Sequence, residues 1–248
     1  MNIENSIALV TGANRGLGKA YSDALLAAGA GKVYAGARDP ASVAISDPRV
    51  VAIKLDVTQD ADVHAAAAAC PDVTLLINNA GIMLASPILA GDSEGALRAE
   101  MEVNVFGMLR MIRAFAPVLA KNGGGAIANM LSVVSWFVFP FNATYGASKH
   151  AALAVTEGAR IQLKSQGTQV VAVFAGFIDT DMAAGVDREK TPPRQVAERT
   201  LDGIRNGLND VHADERAEAI WQAMKTDPAG LHAQMQQQWD ERVTSGMR

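Results

Sequence analysis

The chain of 248 residues is long enough for one large domain, and its hydrophobic content of 49% allows a sizeable core. A net charge of −4 without a long basic run argues against nucleic acid as a partner. Neither a signal peptide nor an apolar run of membrane-spanning length is expected, and Cys70 is the lone cysteine, which together indicate a cytoplasmic protein without disulfides or membrane contact.

Short, continuously apolar runs mark the predicted strands. They are SIALV at Ser6, KVYAGA at Lys32, VVAIKLDV at Val50, VTLLIN at Val73, AIANML at Ala126 and VVAVFA at Val170. Such runs are typical of parallel strands that are covered on both faces. Helical spacing fills intervals between them, over Leu17–Ala28, Asp60–Ala69, Leu97–Lys121 and Ala143–Ser165. This alternation predicts an α/β fold, a doubly wound parallel sheet with helices on both faces.

The C-terminal part shows no composition break, so we predict one domain over residues 1–248. Residues 187–193 (DREKTPP) form a predicted loop that ends at a helix start, where the first turn tolerates proline. We assign residues 182–198 as a substrate loop and 207–248 as a mainly helical, polar extension. The short run DVH at Asp210 is a candidate for a stunted seventh strand.

The first strand runs into a glycine-rich turn, TGANRGLGKA, with Gly12, Gly16 and Gly18. Glycine permits a tight turn and a close approach to a pyrophosphate, whose charge a helix N-terminus favours. The spacing differs from the common G-x-G-x-x-G fingerprint. The turn indicates a dinucleotide site, with an ordinary strand-to-helix turn as the alternative.

The end of the second strand, YAGARDP, indicates which dinucleotide to expect. NAD enzymes place an acid here for the ribose 2′-hydroxyl, and Asp39 is the nearest candidate. However, Ala37 is the last strand residue, Arg38 follows it, and Arg15 lies in the glycine turn. Two guanidinium groups at one site suit a 2′-phosphate. We therefore predict NADP(H), with two solvated surface arginines as the alternative.

A second motif, ATYGASKHA, places Tyr145 and Lys149 on one helix face. A Tyr-x-x-x-Lys motif alone is usually a half-buried ring beside a lysine stem. Here Ser132 lies thirteen residues before the tyrosine, and the glycine turn stands upstream. The combination is far more specific than any of its members.

In this order the motifs resemble the short-chain dehydrogenase/reductase family, from about Ser6 to Met182. TGANRGLG is similar to its glycine turn, LDVT to its adenine-side acid, NNAG to the motif that closes its fourth strand, and TYGASK to its YxxxK. The resemblance implies a single Rossmann-like domain and a catalytic set of Asn104, Ser132, Tyr145 and Lys149. It also implies a cofactor site made of Gly12, Asn14, Arg15, Gly16, Leu17, Gly18, Arg38, Asp56, Val57, Asn79, Ala80, Gly81, Tyr145, Lys149, Gly176, Ile178 and Thr180.

The chain departs from the family pattern at two places. Ala175 precedes Gly176 where the family has proline, which removes only a fixed φ. The family's final strand with Asp-Gly-Gly is missing, which puts the frequent tetramer in doubt. We expect a homodimer that pairs through the apolar stripe of Leu97–Lys121 and the small residues near Ala147 and Ala151, with a tetramer as a further option. The alternative is that these faces only pack on the sheet.

The resemblance implies that Tyr145 exchanges a proton with the substrate oxygen while nicotinamide supplies hydride. The ammonium of Lys149 is expected to lower the pKa of this phenol from its usual value of about 10, and also to hold the nicotinamide ribose. Ser132 is expected to hold the substrate oxygen, and Asn104 a water that links Lys149 to solvent.

The segment SWFVFPFNATY joins Ser132 to Tyr145 and carries four aromatic residues within six positions. We expect an apolar substrate pocket here, with a core or subunit-contact cluster as the alternative. The predicted pocket residues are Met83, Leu84, Ser135, Trp136, Phe137, Phe141 and Met182. No metal site is expected.

The motifs together predict an NADP(H)-dependent reductase of bulky apolar or aryl ketones and aldehydes. One alternative is a dehydrogenase that oxidises a sugar- or steroid-like alcohol. Another is a non-catalytic NADP(H)-binding sensor.

Overall fold

The computed structural model describes residues 1–245, which contain a seven-stranded parallel sheet in the order β3-β2-β1-β4-β5-β6-β7. The strands are β1 Ile7–Thr11, β2 Lys32–Ala37, β3 Val50–Lys54, β4 Leu75–Asn78, β5 Ala126–Met130, β6 Gln169–Phe174 and β7 Asp210–His212. The helices are α1 Gly16–Ala27, α2 Asp60–Ala69, α3 Ser93–Met101, α4 Met108–Lys121, α5 Ala143–Leu163, α6 Pro193–Arg205, α7 Glu215–Thr226 and α8 Pro228–Thr244. The predicted α/β, doubly wound fold is confirmed.

The sheet has an apolar core on each face, as its continuously apolar strands require. In β4, Leu76 joins a cluster that includes Phe115 of α4. Its neighbour Ile77 points to the other face, in a cluster with Tyr21 of α1 and Leu201 of α6. Burial of each such side chain contributes about 1.5–3 kcal/mol. Helices on both faces therefore hold the sheet.

The winding of the chain reverses between β1 and β4, which are neighbours in the sheet. Ligands of open α/β sheets bind at such a switch point, outside the carboxyl ends of the strands. The hydroxyl of Thr11, at the end of β1, accepts hydrogen bonds from the backbone N–H groups of Asn79 and Ala80, each at 2.9 Å. This contact fixes the two loops that flank the crevice.

The predicted helix Leu97–Lys121 begins earlier and is not uniform. It runs over Ser93–Lys121, and a π-helical segment, Glu102–Gly107, divides α3 from α4. Within residues 1–245 this stretch of 29 residues is the one helix that could cross a membrane by length and composition, a property that a buried core helix shares. Met111, Phe115 and Leu119 are fully buried in the core. The apolar stripe therefore packs inside this protein, and subunit pairing through it is not supported.

The C-terminal region is integral to the fold. The run DVH forms a strand as predicted, and it pairs with β6. Helix α6 begins at Pro193, so the loop assigned to 182–198 ends at Pro192. The predicted polar helices downstream are α7 and α8. Residues 246–248 of the predicted extension lie outside the described residues.

Candidate active site

A cavity of about 820 Å³ opens at the carboxyl ends of the strands and extends toward α7 and α8. Its wall includes all seventeen residues that the sequence assigned to the cofactor, from Gly12 in the glycine turn to Thr180 beyond β6. Three of the four predicted catalytic residues, Ser132, Tyr145 and Lys149, lie on the same wall. One cavity thus joins the glycine turn to the tyrosine motif.

The glycine turn has the geometry of an anion cradle. Gly12 and Gly16 have φ values of +65° and +52°, which favour glycine. A Cβ on Gly18 would lie 2.0 Å from the carbonyl oxygen of Gly12, so the turn can pack this tightly only without a side chain. The N-terminus of α1 has no side-chain cap and no acid in its first turn. Its N–H groups are therefore suited to a phosphate.

The two arginines predicted at the 2′-phosphate differ in their contacts. Arg38 lines the cavity beside Ser42. Arg15 forms an ion pair with Asp181, and both side chains are largely exposed, at 69% and 76%. Such exposed pairs contribute about 0–1 kcal/mol, so a phosphate can compete for the guanidinium. Asp39 accepts a hydrogen bond from the N–H of Ala41 at 3.0 Å and caps the turn that follows.

Loops after β3 and β4 complete the dinucleotide end. Asp56 accepts two hydrogen bonds from Thr58, from N–H at 2.9 Å and from the hydroxyl at 2.8 Å. The amide of Asn79 donates to the carbonyl oxygens of Thr11 at 2.9 Å and Gly12 at 3.3 Å. Asn79 therefore supports the glycine turn from the neighbouring strand.

Tyr145, Lys149 and Ser132 converge where α5 passes the ends of β5 and β6. The ammonium of Lys149 donates to the carbonyl oxygen of Met130 at 2.8 Å and lies 5.6 Å from the centroid of the Tyr145 ring. The hydroxyl of Ser132 donates to the carbonyl oxygen of Ala175 at 3.5 Å. The hydroxyl of Ser132 also lies close enough to the phenol to affect its pKa.

Burial dominates the protonation of the catalytic pair. It raises the pKa of Tyr145, the nearby hydroxyl of Ser132 opposes that rise, and the charge of Glu100 adds to it. Burial lowers the pKa of Lys149 from 10.5 to about 8. The expectation that Lys149 lowers the pKa of Tyr145 is therefore not met in this structure. At neutral pH the phenol holds its proton.

Asn104 lies behind the cavity wall rather than on it. Its side-chain oxygen accepts from the N–H of Ile82, and its amide donates to the carbonyl of Ile82 and the hydroxyl of Ser148, all at 2.9 Å. A Cβ on Gly81 would lie 3.1 Å from that side-chain oxygen. The side chain thus positions the loop of Gly81 and helix α5, and the water expected beside it stays a prediction.

Part of the predicted substrate pocket is in the cavity wall. Met83, Phe137 and Met182 line it, and so does Phe139, which the sequence analysis counted only in the aromatic segment. Phe137 is almost fully buried, whereas Met182 is largely exposed. These side chains form an apolar wall next to Tyr145.

Four predicted pocket residues do not line this cavity. Trp136 packs 4.1 Å from Phe174 and 5.0 Å from Trp221, measured between ring centroids. Phe141 stacks on Trp239. The other two are Leu84, which is exposed, and Ser135, whose buried hydroxyl accepts from the N–H of Ser132 at 3.3 Å. The aromatic segment therefore divides between the cavity and the contacts that hold α7 and α8.

Sequence reasoning missed the far wall of the cavity. This wall consists of Phe177, Arg188, Arg216, Ala219, Ile220, Gln234, Met235 and Gln238. No motif marks the residues of α7 and α8. The available signal was the position of Phe177, which stands between the predicted cofactor residues Gly176 and Ile178.

Comparison of the sequence and the structure with known proteins assigns the chain to a family. Residues 6–191 match the sequence profile of the short chain dehydrogenase family. The crystal structure of a short chain dehydrogenase from Burkholderia cenocepacia in complex with NADP is 43% identical, covers 95% of this chain and 99% of that one, and superposes with a TM-score of 0.92. The 1-deoxy-11-beta-hydroxypentalenate dehydrogenase of Streptomyces exfoliatus is 30% identical over 92% of this chain and 82% of its own. The galactitol 2-dehydrogenase of Agrobacterium fabrum is 33% identical over 75% of this chain and 76% of its own length. The chain belongs to the short chain dehydrogenase family, and it is an oxidoreductase with a Rossmann-like fold.

Proposed function

We propose that this oxidoreductase uses NADP(H) to reduce a ketone or aldehyde to an alcohol. The observation that carries the proposal is that Ser132, Tyr145 and Lys149 share one cavity with the glycine turn. When bound, the nicotinamide supplies the hydride. A dinucleotide held by the turn and a carbonyl held by the tyrosine motif would then meet inside the cavity.

Tyr145 and Ser132 have complementary parts in this reaction. The phenol donates its proton to the carbonyl oxygen as that oxygen gains charge, and the raised pKa keeps the proton available at neutral pH. The hydroxyl of Ser132 donates a hydrogen bond to the same oxygen and orients it. Lys149 holds the backbone of β5 through Met130 and adds positive charge beside the ring.

The choice of NADP(H) rests on charge at the end of β2. Arg38 and Arg15 line the cavity there. The carboxylate of Asp39 accepts a hydrogen bond from the N–H of Ala41 and caps the turn that follows. The Burkholderia cenocepacia relative holds NADP. Charge-assisted hydrogen bonds of about 1.5–3 kcal/mol predict at least a tenfold higher kcat/KM with NADPH than with NADH. Equal values would contradict the assignment, and Arg38→Asp is expected to remove the preference.

The end of the cavity beside Tyr145, the substrate end, is lined in a way that favours bulky apolar compounds. Phe137, Phe139, Phe177 and Ile220 line it, with Met83 on the loop after β4. Apolar walls with a few polar groups are the usual form of a small-molecule pocket. We therefore expect acetophenone to be a better substrate than acetone.

The decisive experiment follows NADPH oxidation at 340 nm with a panel of aryl ketones, small ketones and aldehydes, and NADP⁺ reduction with the matching alcohols and galactitol. The proposal predicts turnover that is fastest with aryl ketones. Preferential oxidation of a sugar alcohol would favour the oxidative alternative. Tight NADPH binding without any turnover would indicate a sensor.

We also propose that the protein works as a homodimer, in line with its family. The stripe of α4 is buried, so pairing would use the small residues near Ala147 and Ala151 of α5. Outward-facing apolar groups such as Phe106, which is 46% exposed, and Ile161, which is 77% exposed, would add to the contact. Light scattering at micromolar concentration tests this. A dimer mass is expected, and a monomer or tetramer mass would contradict it.

A cytoplasmic location completes the proposal. Cys70 is buried, and burial raises the pKa of its thiol to about 11, so it stays a protonated, unreactive group. Cell fractionation with an antibody tests the location. Recovery in the membrane pellet would contradict it.

A further inference from the structure

Two arginines stand at the substrate end of the cavity, Arg188 on the loop before α6 and Arg216 in the first turn of α7. The aliphatic stem of Arg216 packs on Gly176, where an added Cβ would lie 2.4 Å from the arginine Cδ. Its guanidinium lies over the ring of Phe177, 5.0 Å from the centroid. Gly176 follows Ala175, whose backbone oxygen accepts a hydrogen bond from the Ser132 hydroxyl. Arg216 therefore lies next to the site proposed for the carbonyl group of the substrate.

These two charges have no ion-pair partner in the described chain. Within residues 1–245, no carboxylate oxygen lies within 4.0 Å of either guanidinium. Burial lowers the pKa of Arg216, the neighbouring charge of Arg188 lowers it further, and the charge of Asp214 opposes both effects. Two cations without a carboxylate in ion-pair contact, at one wall of a cavity, favour an anionic ligand.

Asp214, two residues before Arg216, is already committed to other contacts, and the adjacent Glu215 pairs with Arg199. The buried carboxylate of Asp214 accepts from the N–H of Gly176 at 2.7 Å, the hydroxyl of Thr191 at 3.2 Å and the N–H of Ala217 at 2.7 Å. These bonds tie the end of β6, the loop before α6 and the start of α7 together. Asp214 therefore fixes the frame that carries Arg216 and has no remaining role as its ion-pair partner.

The acids on the cavity wall belong to the dinucleotide end. Asp39 caps a turn, Asp56 accepts from Thr58, and Asp181 pairs with Arg15. The substrate end instead combines the two arginines with apolar groups such as Ile220 and Met235. Its chemistry thus suits a molecule with an apolar body and a negative charge.

We propose that Arg216 and Arg188 bind a carboxylate of the substrate, so that the preferred substrates are apolar carbonyl compounds with a carboxylate group. The proposal rests on the proposed reductase function and names its substrate class. The pyrophosphate of the cofactor is another anion that two arginines could bind. The glycine turn and the uncapped N-terminus of α1 already provide for that group.

The test compares probes that differ only in charge: 3- and 4-acetylbenzoate against 3- and 4-acetylbenzamide, with NADPH. For the better acid–amide pair, a charge-assisted contact predicts a kcat/KM at least about tenfold higher for the acid. Arg216→Gln and Arg188→Gln are each expected to cut this ratio to below about threefold, with the amide changing less than about threefold. Arg98→Gln, on an exposed arginine paired with Glu94, is the matched control and leaves the ratio unchanged.

Two further measurements distinguish a substrate carboxylate from a cofactor phosphate as the bound anion, and failure of the carboxylate site from failure of the reductase function. The Kd of NADPH, from fluorescence, is expected to stay within about twofold in Arg216→Gln. A tenfold rise would assign the arginines to the cofactor and overturn the proposal. Calorimetry of 4-acetylbenzoate binding to the complex with NADP⁺ needs no turnover. If neither ketone is reduced, the reductase function fails, whereas binding that Arg216→Gln does not weaken overturns the carboxylate site itself.

Discussion

Replacing Lys149 by methionine should change the pH dependence of stability in a way that reports its burial. Lys149 is only 5% exposed, and its pKa falls from 10.5 to about 8 in the folded protein. At about 1.4 kcal/mol for each tenfold change, this fall corresponds to a cost of about 3 kcal/mol for holding the charge at pH 7. Between pH 8 and 10.5 the unfolded chain binds more protons than the folded one, so stability rises with pH. This rise is absent from Lys149→Met.

The assay is urea unfolding of both cofactor-free proteins from pH 7 to 9.5. Between pH 7 and 9.5, the free energy of unfolding of the wild type is expected to rise by about 2 kcal/mol relative to that of Lys149→Met, because the lysine loses its buried charge. The lost hydrogen bond to Met130 adds a constant that does not depend on pH. Lys121→Met, at an exposed position, controls for net charge. A difference that stays flat across this range would refute the buried-charge reasoning.

Three further substitutions test separate parts of the site. Glu100→Gln removes a charge that raises the pKa of Tyr145, so the pH profile of alcohol oxidation should shift to lower pH; an unmoved profile would contradict this. Trp136→Ala should lower the free energy of unfolding by about 3 kcal/mol and leave KM for acetophenone within about threefold, since the ring packs away from the cavity. Gly18→Ala, whose Cβ would lie 2.0 Å from a backbone oxygen, should raise the Kd of NADPH at least about tenfold, whereas Gly158→Ala, with open space around it, should not.

Local sequence pattern was sufficient to predict the fold and the residues around the glycine turn that line the cavity. Continuously apolar strands reflect burial on both faces, and that requirement is written into each strand separately. The glycine turn depends on backbone conformations at Gly12 and Gly16 that few other residues adopt, so its signal is also local. Tyr145 and Lys149 share a helix face by spacing alone.

The substrate end depended on contacts that lie far apart in the chain. Whether an aromatic side chain faces the cavity or the core is decided by its partners: Trp136 turns toward Trp221 of α7, whereas Phe139 faces the cavity. The rise in the pKa of Tyr145 comes from burial and from Glu100, and spacing reveals neither. Similarly, no local rule predicts that the polar α7 would bring Arg216 to Gly176.

Single-turnover kinetics of Tyr145→Phe tests most directly whether Tyr145 supplies the proton for NADPH-linked carbonyl reduction. The substitution removes one hydroxyl and keeps the partly buried ring, so the fold and the Kd of NADPH should be unchanged. General acid catalysis is worth about 10²–10⁴-fold, and the rate of NADPH oxidation with an aryl ketone should fall by that factor. A variant that binds NADPH normally and keeps most of the wild-type rate would contradict the assignment of Tyr145 as the acid.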